Sequence, residues 1–311
     1  MKLSLIVPCY NEAENIKNFY DAVVGAFDGC GYDYEIIFVD DGSRDETFHN
    51  IRKLYETVHT PIGLISFSRN FGKEAAIYAG MEHASGEYVC LIDADLQQRP
   101  ETVREMVSFL DVYPDYDMVA AYQDRRGESK YLSFFKRSFY RIINKLSDVT
   151  LHNDASDFRT MRRSVVESIL AMGEYHRFSK GIFAWVGYNT HFIPYTACKR
   201  VAGSTKWSFK KLVNYAIDGI IGFSTRPLRI ATYLGSLTGV GALIYLLVVV
   251  LQKLLVGIDV PGYATIIVLI LLLGSMQLFC IGIIGEYVGR TFEQSKRRPI
   301  YVTKEILSTK K

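Results

Sequence analysis

The sequence predicts an α/β domain with a mostly parallel sheet, followed by two membrane-spanning helices. Over the first two thirds of the 311 residues, short apolar runs alternate with helix-like stretches, and the last third is strongly apolar. Strands that alternate with helices are typical of a mostly parallel sheet with helices on both faces. Two long uncharged runs near the C-terminus are each long enough to cross a bilayer as a helix.

The elements of the α/β domain follow one another in strand–helix order. The strand candidates are Leu3–Val7, Glu35–Asp40, Gly63–Ser66 and Tyr88–Asp93. The helix candidates between them are Glu12–Phe27, Asp45–Tyr55 and Lys73–Ala84. In such sheets ligands bind where strands end and loops begin, so the polar loops after the strands should meet at one edge as the candidate site.

Composition and simple motifs exclude several classes of protein. The net charge is only +3, so no nucleic-acid partner is predicted. The five scattered cysteines form no CxxC pair, which favours thiols in a reducing compartment over disulfides or a zinc site. The apolar run Met1–Val7 is too short for a signal peptide and ends at Pro8, so we expect this domain to stay in the cytoplasm. Neither common glycine-rich phosphate-binding motif is present.

Two carboxylates one residue apart follow the fourth strand candidate. Asp93 and Asp95, on either side of Ala94, would destabilise each other unless a cation compensates them. Their hard oxygen atoms suit Mg²⁺ or Mn²⁺, which bind through one or two carboxylates and substrate phosphates. Such a metal would bridge the diphosphate of a nucleotide-sugar and stabilise the departing nucleoside diphosphate. A polar loop or helix cap is the alternative interpretation.

Further carboxylates have two interpretations each. Asp40 and Asp41 could accept hydrogen bonds from a ribose or a base, and Asp41 could instead cap the next helix. Glu12 could belong to the nucleotide site or to the first turn of a helix. Asp154 and Asp157 lie in a polar segment, and either is a candidate catalytic base, or neither.

Basic side chains are the other candidate phosphate ligands. Arg200 and Lys206 flank a glycine-containing loop that could grip phosphate, although a solvated basic loop is the alternative. Arg125 and Arg126 follow the strand candidate Met118–Tyr122 in a similar way.

The two uncharged runs, Ile230–Leu251 and Val260–Gly285, predict a membrane hairpin. Buried core helices are the alternative, but helices of this length usually show a polar face. Six basic residues lie outside the pair, Arg226, Arg229, Arg290, Lys296, Arg297 and Arg298, whereas the connecting loop has only Lys253 and Asp259. The positive-inside rule therefore places both ends in the cytoplasm and the connecting loop outside.

Two amphipathic stretches are candidates for helices that lie on the membrane surface. Phe209–Ile221 leads into the first span and carries apolar residues at helical spacing, although it could instead pack on the α/β domain. Tyr131–Leu146 includes Lys136 and Arg137, which could meet anionic head groups.

Four motifs, in this order, resemble the family 2 glycosyltransferases. They are VPCYNE at Val7–Glu12, VDDGS at Val39–Ser43, DADLQ at Asp93–Gln97, and Arg200 with the loop Gly203-Ser204-Thr205-Lys206. Over nearly its whole length the chain is similar to the polyprenyl-phosphate branch, which includes dolichol-phosphate mannose synthase and bacterial undecaprenyl-phosphate glucosyltransferases. It lacks the QxxRW motif of the processive polysaccharide synthases in the same family.

The resemblance implies a GT-A fold and a role for each motif. The implied nucleotide-sugar ligands are Pro8, Tyr10, Glu12, Asp40, Asp41, Asp93, Ala94, Gln97, Arg200 and Lys206, and Asp93 and Asp95 would hold Mg²⁺ or Mn²⁺. The phosphates that Arg200 and Lys206 contact could be those of the donor or that of the lipid. Arg125 and Arg126 are the candidate ligands of the acceptor phosphate, and Lys136 and Arg137 could contact the acceptor phosphate or the lipid head groups. Asp95 and Asp157 are the predicted catalytic residues. We interpret Asp157 as orienting the acceptor or holding a bridging cation, with proton abstraction second, because a phosphate monoester is already largely dianionic at neutral pH.

The predicted chain has a cytoplasmic catalytic domain at 1–207, an amphipathic helix at 208–228, a transmembrane hairpin at 229–290 and a basic cytoplasmic tail at 291–311. The predicted reaction is an inverting transfer of a hexose, with glucose from UDP-glucose as first candidate, to a polyprenyl phosphate on the cytoplasmic face of the inner membrane. The alternatives are another glycolipid or polysaccharide acceptor, or a non-catalytic nucleotide-binding scaffold. The predicted partners are the nucleotide-sugar donor, the polyprenyl-phosphate acceptor and the bilayer. Further candidate partners are other copies of the chain, in a homo-oligomer, and a flippase that moves the product lipid across the membrane.

Overall fold

Eight strands of the described residues form one mixed sheet. The computed structural model describes residues 2–123, 144–145, 147, 149–152, 155–196, 198, 217–256 and 262–308. The strands are β1 (Leu3–Cys9), β2 (Tyr34–Asp40), β3 (Ile62–Phe67), β4 (Tyr88–Leu91), β5 (Met118–Gln123), β6 (Ala155–Arg162), β7 (Thr190–Tyr195) and β8 (Thr303–Leu307). Their order across the sheet is β7-β5-β6-β4-β1-β2-β3-β8.

The centre of the sheet is parallel, and antiparallel strands flank it. β1 lies between β2 and β4 and is parallel to both, and β2 is parallel to β3. β6 runs antiparallel to β4 and β5, and β8 runs antiparallel to β3. The predicted α/β architecture with a mostly parallel core is therefore confirmed.

Helices cover both faces of the sheet. The helices of the α/β domain are α1 (Ile16–Phe27), α2 (Thr47–Thr57), α3 (Lys73–His83), α4 (Pro100–Val112), α5 (Arg163–Leu170) and α6 (Ser179–Trp185). Two long helices that do not cover the sheet follow them, α7 (Arg226–Val256) and α8 (Tyr263–Ser295). Successive side chains of a strand point to opposite faces, so Leu5 and Val7 join one hydrophobic cluster and Ile6 joins the other. Because both faces are covered, β1 is apolar almost throughout.

The first helix begins at Ile16, four residues later than the sequence pattern indicates. The amide of Glu12 donates to the Thr47 hydroxyl at 2.8 Å, and the amide of Ala13 donates to the Asp45 carboxylate at 3.2 Å. These bonds tie residues 12 and 13 to the start of α2, so they form a connecting loop.

The two long C-terminal helices, α7 and α8, are long and apolar enough to cross a membrane. Their apolar windows contain no buried residues, and Leu237, for example, is 73% exposed. A helix of a soluble core would bury its apolar side chains, so the alternative of core helices is rejected. α8 extends to Ser295, and β8 lies within the segment that the sequence suggested as a basic tail.

Several predicted features lie outside the described residues. Most of Tyr131–Leu146 and of Phe209–Ile221 does so, although residues 217–222 are helical. The same holds for Arg125, Arg126, Lys136, Arg137, Asp154, Arg200 and Lys206.

Candidate active site

Three polar loops meet at the carboxyl edge of the parallel strands, as predicted. The register pairs Cys9 with Asp40 and Ile6 with Leu91, so the loops after β1, β2 and β4 leave the sheet side by side. The first two loops are also bonded to each other, since the amide of Asn11 donates to the Ser43 hydroxyl at 2.9 Å. These loops form one continuous rim.

Two non-glycine residues of this rim have a left-handed backbone. Asn11 has φ of 51° and Leu96 has φ of 58°. Asparagine adopts this conformation readily, whereas leucine rarely does. Hydrogen bonds around Leu96 hold it: the amide of Gln97 donates to Asp95 Oδ1 at 3.2 Å, and the carbonyl of Gln97 accepts from the amide of Cys198 at 3.1 Å. Backbone held in this way is common at binding sites.

Asp40 and Asp41, at the end of β2, are both buried. Asp40 accepts a bond from the Ser66 hydroxyl at 3.0 Å. Asp41 accepts from the amides of Phe71 at 2.6 Å and Gly72 at 2.9 Å, and burial raises the pKa of Asp41 to about 6. Asp41 thus organises the loop before α3 and does not cap α2.

Close packing of two backbones fixes the same loop from the other side. Gly42 has φ of +64°, and a Cβ there would lie 2.4 Å from the carbonyl carbon of Arg69. Only glycine allows this approach, which brings the β2 and β3 loops together just before α3.

Asp93 and Asp95 stand at the end of β4 with Ala94 buried between them. The side chain of Gln98 fixes Asp93, because Gln98 Oε1 accepts from the Asp93 amide at 3.0 Å and Gln98 Nε2 donates to Asp93 Oδ2 at 3.3 Å. Asp93 Oδ1 remains turned toward Lys73, whose Nζ lies 2.6 Å away.

Asp157 lies opposite Asp93 because of the strand register. β4 and β6 are antiparallel and pair Leu91 with Arg159, which places residue 157 across from residue 93. Lys73 Nζ lies 3.4 Å from Asp157 Oδ2 and so joins the two carboxylates. Burial would raise the pKa of Asp157, but the positive charges of Lys73, Lys180 and Arg159 hold it below its usual value.

Lys73 is charged and accessible from the cleft. Burial lowers the pKa of Lys73, but the charges of Asp93 and Asp157 outweigh this effect and raise it. Its side chain is 43% exposed, more than that of either carboxylate partner. A narrow crevice beside it is lined by Pro8, Gln98, Asp93 and Asp157.

Glu74 adds a carboxylate behind this ion bridge. It accepts hydrogen bonds from the Ser179 amide at 2.9 Å and from the Ser179 hydroxyl. Burial, together with the negative charge of Asp157, raises the pKa of Glu74 to about 7. Since Ser179 begins α6, Glu74 ties the first turn of α3, and with it Lys73, to α6.

The sequence profile described as glycosyl transferase family 2 matches residues 4–170, which include the whole rim except the segment around Cys198. The chain belongs to glycosyl transferase family 2. A second profile, described as the GtrB C-terminal hairpin, matches residues 226–291, which are α7 and most of α8.

Relatives of this family 2 glycosyltransferase align over nearly its full length. The putative glycosyltransferase CsbB of Bacillus subtilis (strain 168) is 42% identical, and the alignment covers 97% of this chain and 91% of CsbB. The prophage bactoprenol glucosyl transferase homolog of Escherichia coli (strain K12) is 40% identical over 98% of this chain and 99% of its own. The prediction of a hexosyltransferase is confirmed.

A solved structure supports the fold of the glycosyltransferase. Mannosyl-3-phosphoglycerate synthase from Rubrobacter xylanophilus has a TM-score of 0.51 at 14% identity, over 70% of this chain and 71% of that chain. At this identity the likeness concerns the fold alone, and it agrees with the predicted GT-A architecture.

The Asp93/Asp95 pair of the glycosyltransferase fits a divalent cation. Among the described residues, no group of three or more histidine, cysteine or acidic side chains could hold a metal unaided. Mg²⁺ and Mn²⁺ commonly bind through one or two carboxylates and complete their coordination with phosphate and water oxygens. Both aspartates are half-exposed at the rim, where substrate oxygens could reach the same ion.

Sequence reasoning overlooked Lys73, Glu74 and Gln98. The signal for the first two was available, because FGKE follows the third strand candidate and thus lies at the same sheet edge as the acidic loops. Gln98 gave no such signal, since only the fold of the loop distinguishes it from Gln97. Of the predicted nucleotide ligands, Tyr10 and Glu12 lie half-buried on the rim.

Proposed function

We propose that the chain transfers glucose from UDP-glucose to a polyprenyl phosphate at the cytoplasmic face of the membrane. The observation that carries the proposal is the cluster of Asp93, Lys73 and Asp157 at the rim, in a chain that aligns end to end with a bactoprenol glucosyl transferase homolog. The acceptor, the donor and the orientation in the membrane are all part of this proposal.

The reaction is a single displacement at the anomeric carbon. An oxygen of the acceptor phosphate attacks that carbon, and the bond to the donor diphosphate breaks with its electron pair leaving on the nucleoside diphosphate, which inverts the configuration. A divalent cation held by Asp93 and Asp95 would neutralise the leaving diphosphate. Lys73 offsets the repulsion between two anionic substrates.

Asp157 orients the acceptor in this mechanism and does not act as its base. A phosphate monoester has a second pKa of about 6, so it already carries a nucleophilic oxygen at neutral pH. The pKa of Asp157 is held low, and a carboxylate that binds protons weakly is a poor general base. Both facts support an electrostatic and positioning role.

The hairpin is attached to the part of the domain that carries the site. Gln294, near the end of α8, donates to the carbonyl of Gly173 at 2.9 Å and accepts from the amide of Tyr175 at 2.8 Å. This loop leads to α6 and Ser179. Exposing a polyprenyl chain to water costs about 0.8 kcal/mol per CH₂, so the acceptor phosphate must react near the membrane surface. The contacts through Gln294 support such a placement.

The first prediction concerns Asp95→Ala. In this variant the rate of glucose transfer from UDP-glucose to undecaprenyl phosphate should fall by at least ~100-fold, because the leaving diphosphate loses its cation. Transfer is measured as labelled lipid formed by the purified protein, and Glu105→Ala, an exposed carboxylate on α4, is the matched control.

Two outcomes would contradict the proposed function. Near-normal turnover of Asp95→Ala in the presence of Mg²⁺ or Mn²⁺ would show that Asp95 is not a ligand of the divalent cation. A wild-type protein that transfers sugar to another glycolipid or a polysaccharide, and never to the lipid phosphate, would favour the alternative acceptor class.

A further inference from the structure

The cation bridge at the rim is made by the chain itself. Lys73 Nζ contacts Asp93 Oδ1 at 2.6 Å and Asp157 Oδ2 at 3.4 Å. An ammonium group in this position neutralises the charge of Asp93, which is one of the two carboxylates that the proposed function assigns to a divalent cation. Two cations cannot both sit against the same carboxylate oxygen without strong repulsion.

Lys73 is the member of this cluster that can move. Asp93 is fixed by two contacts with Gln98, and Asp157 is fixed by its place on β6 next to Arg159. Lys73 is the first residue of α3, and its flexible side chain is 43% exposed toward the cleft. An incoming cation would therefore displace the ammonium group and leave the carboxylates in place.

Asp157 also has capacity for a further contact. Its Oδ1 atom is buried and has no hydrogen-bond partner among the described residues. A buried carboxylate oxygen without a donor is costly, so Asp157 gains from keeping a positive charge close to it. This favours the bridge in the protein without substrates.

We propose that Lys73 is an exchangeable counter-ion, which holds Asp93 and Asp157 together until a divalent cation arrives with the nucleotide and displaces it. The inference rests on the proposed function, because it takes Asp93 and Asp95 as cation ligands. The metal alone must compete with Lys73. When a nucleoside diphosphate enters with the metal, its negative phosphates offer the displaced ammonium group of Lys73 a new ionic partner. The cost of the displacement is then smaller, so metal and nucleotide bind cooperatively.

The test measures Mn²⁺ binding to the purified full-length protein by electron paramagnetic resonance, with and without UDP. Wild type should bind Mn²⁺ weakly alone and at least ~10-fold more tightly with UDP, a coupling of ordinary size. Without UDP, Lys73→Met should bind Mn²⁺ several-fold more tightly than wild type. The increase in Mn²⁺ affinity that UDP causes should then be smaller than in wild type. Lys73→Arg keeps the charge and should behave like wild type.

A structural role for Lys73 predicts the opposite sign. If Lys73 only held the loop in shape, Lys73→Met would weaken Mn²⁺ binding or leave it unchanged, and either result overturns the proposal. Lys17→Met, which breaks an exposed ion pair with Asp21 on α1, is the matched control and should change nothing. Lys73→Gln, with a polar side chain, replaces Lys73→Met if the latter fails to fold.

A measurement on the wild type needs no variant. Mn²⁺ without nucleotide, at a concentration that saturates the site in the binding measurement, should increase the reductive methylation of Lys73, because the displaced amine becomes free. Mass spectrometry measures the methylation, and an unchanged rate at saturation contradicts the exchange. Failure of the two ideas can be told apart. If wild type binds no Mn²⁺ with or without UDP, the metal site itself is disproved. If wild type binds Mn²⁺ as expected and Lys73→Met has the same affinity for Mn²⁺, only the role of Lys73 is disproved.

Discussion

At the scale of single residues, buried carboxylates shape the site by binding backbone amides. Asp41 accepts bonds from Phe71 and Gly72, directly before the residue that begins α3. Such bonds favour the ionised carboxylate, while burial disfavours it more strongly, and the balance raises the pKa of Asp41 to about 6. The position of Lys73 thus depends on a carboxylate that changes protonation in mildly acidic solution.

This balance makes stability depend on pH. Because the pKa of Asp41 is raised in the folded state, its contribution is fully present below about pH 4 and is lost as the pH rises toward about 6. The stability of wild type relative to Asp41→Asn should therefore fall over this range by on the order of 1–3 kcal/mol. Thermal unfolding in detergent from pH 4 to pH 7 measures it.

The control for this pH prediction is Asp21→Asn, a change on the exposed side of α1. The prediction concerns the slope only, since an asparagine amide facing the two backbone N–H groups will also lower the absolute stability at every pH. Parallel curves for wild type and Asp41→Asn would show that Asp41 does not titrate in this window.

At the scale of elements, β8 supports the strand that leads to Lys73. It pairs antiparallel with β3, matching Ile65 with Ile306, and it covers an edge that would otherwise be open. Just before β8, the ring of Tyr301 stacks on Phe67 at 4.8 Å. Burial raises the pKa of Tyr301, so its hydroxyl stays protonated and donates to Glu82 on α3.

Truncation of Tyr301 should therefore weaken the sheet edge. Tyr301→Ala loses the stacked ring and is expected to lower the free energy of unfolding by about 1–3 kcal/mol. This is less than the loss expected when a fully buried aromatic residue is replaced by alanine. Tyr301→Phe keeps the ring and loses one hydrogen bond, worth about 1 kcal/mol. Thermal unfolding of both variants compares the two losses, and equal destabilisation would mean that the stacking contributes nothing.

The sequence predicted the parallel core and its rim because both follow from local patterns. Apolar runs with polar loops after them identify Asp93 and Asp40 without knowledge of the partners. β8 was overlooked because Thr303–Leu307 is short, and its pairing with β3 joins residues about 240 positions apart. The role of Lys73 depends on the antiparallel β4–β6 register, which no local pattern encodes.

At the scale of the whole molecule, α8 is one continuous helix that extends from the apolar hairpin to contacts with the α/β domain. Its 33 residues span about 50 Å at 1.5 Å per residue, more than the roughly 30 Å of a bilayer core. Its last turns contact the domain through Arg290, which meets Asp218 at 2.6 Å, and through Glu293, which pairs with His176. In the proposed membrane placement, the length of α8 sets the height of the rim above the bilayer.

The orientation of the hairpin is the last prediction. Gly262→Cys, at the start of α8, should react with an impermeant maleimide in intact cells, because the positive-inside rule places this loop outside. Ser308→Cys, after β8, should react only once the membrane is opened. The wild type, with its five cysteines, gives the background. The reverse pattern would put the rim on the side where nucleotide-sugars are scarce and would contradict the proposed function.

The place of β8 in the chain also bears on the order of biosynthesis. β8 follows both long apolar helices in the chain, so it leaves the ribosome only after the hairpin has been translated. Until then the outer edge of β3 has no partner, and the nascent domain is incomplete next to the loop that carries Lys73. Pairing of β8 with β3 can therefore occur only after both long helices have been made, so this edge of the sheet closes late in the synthesis of the chain.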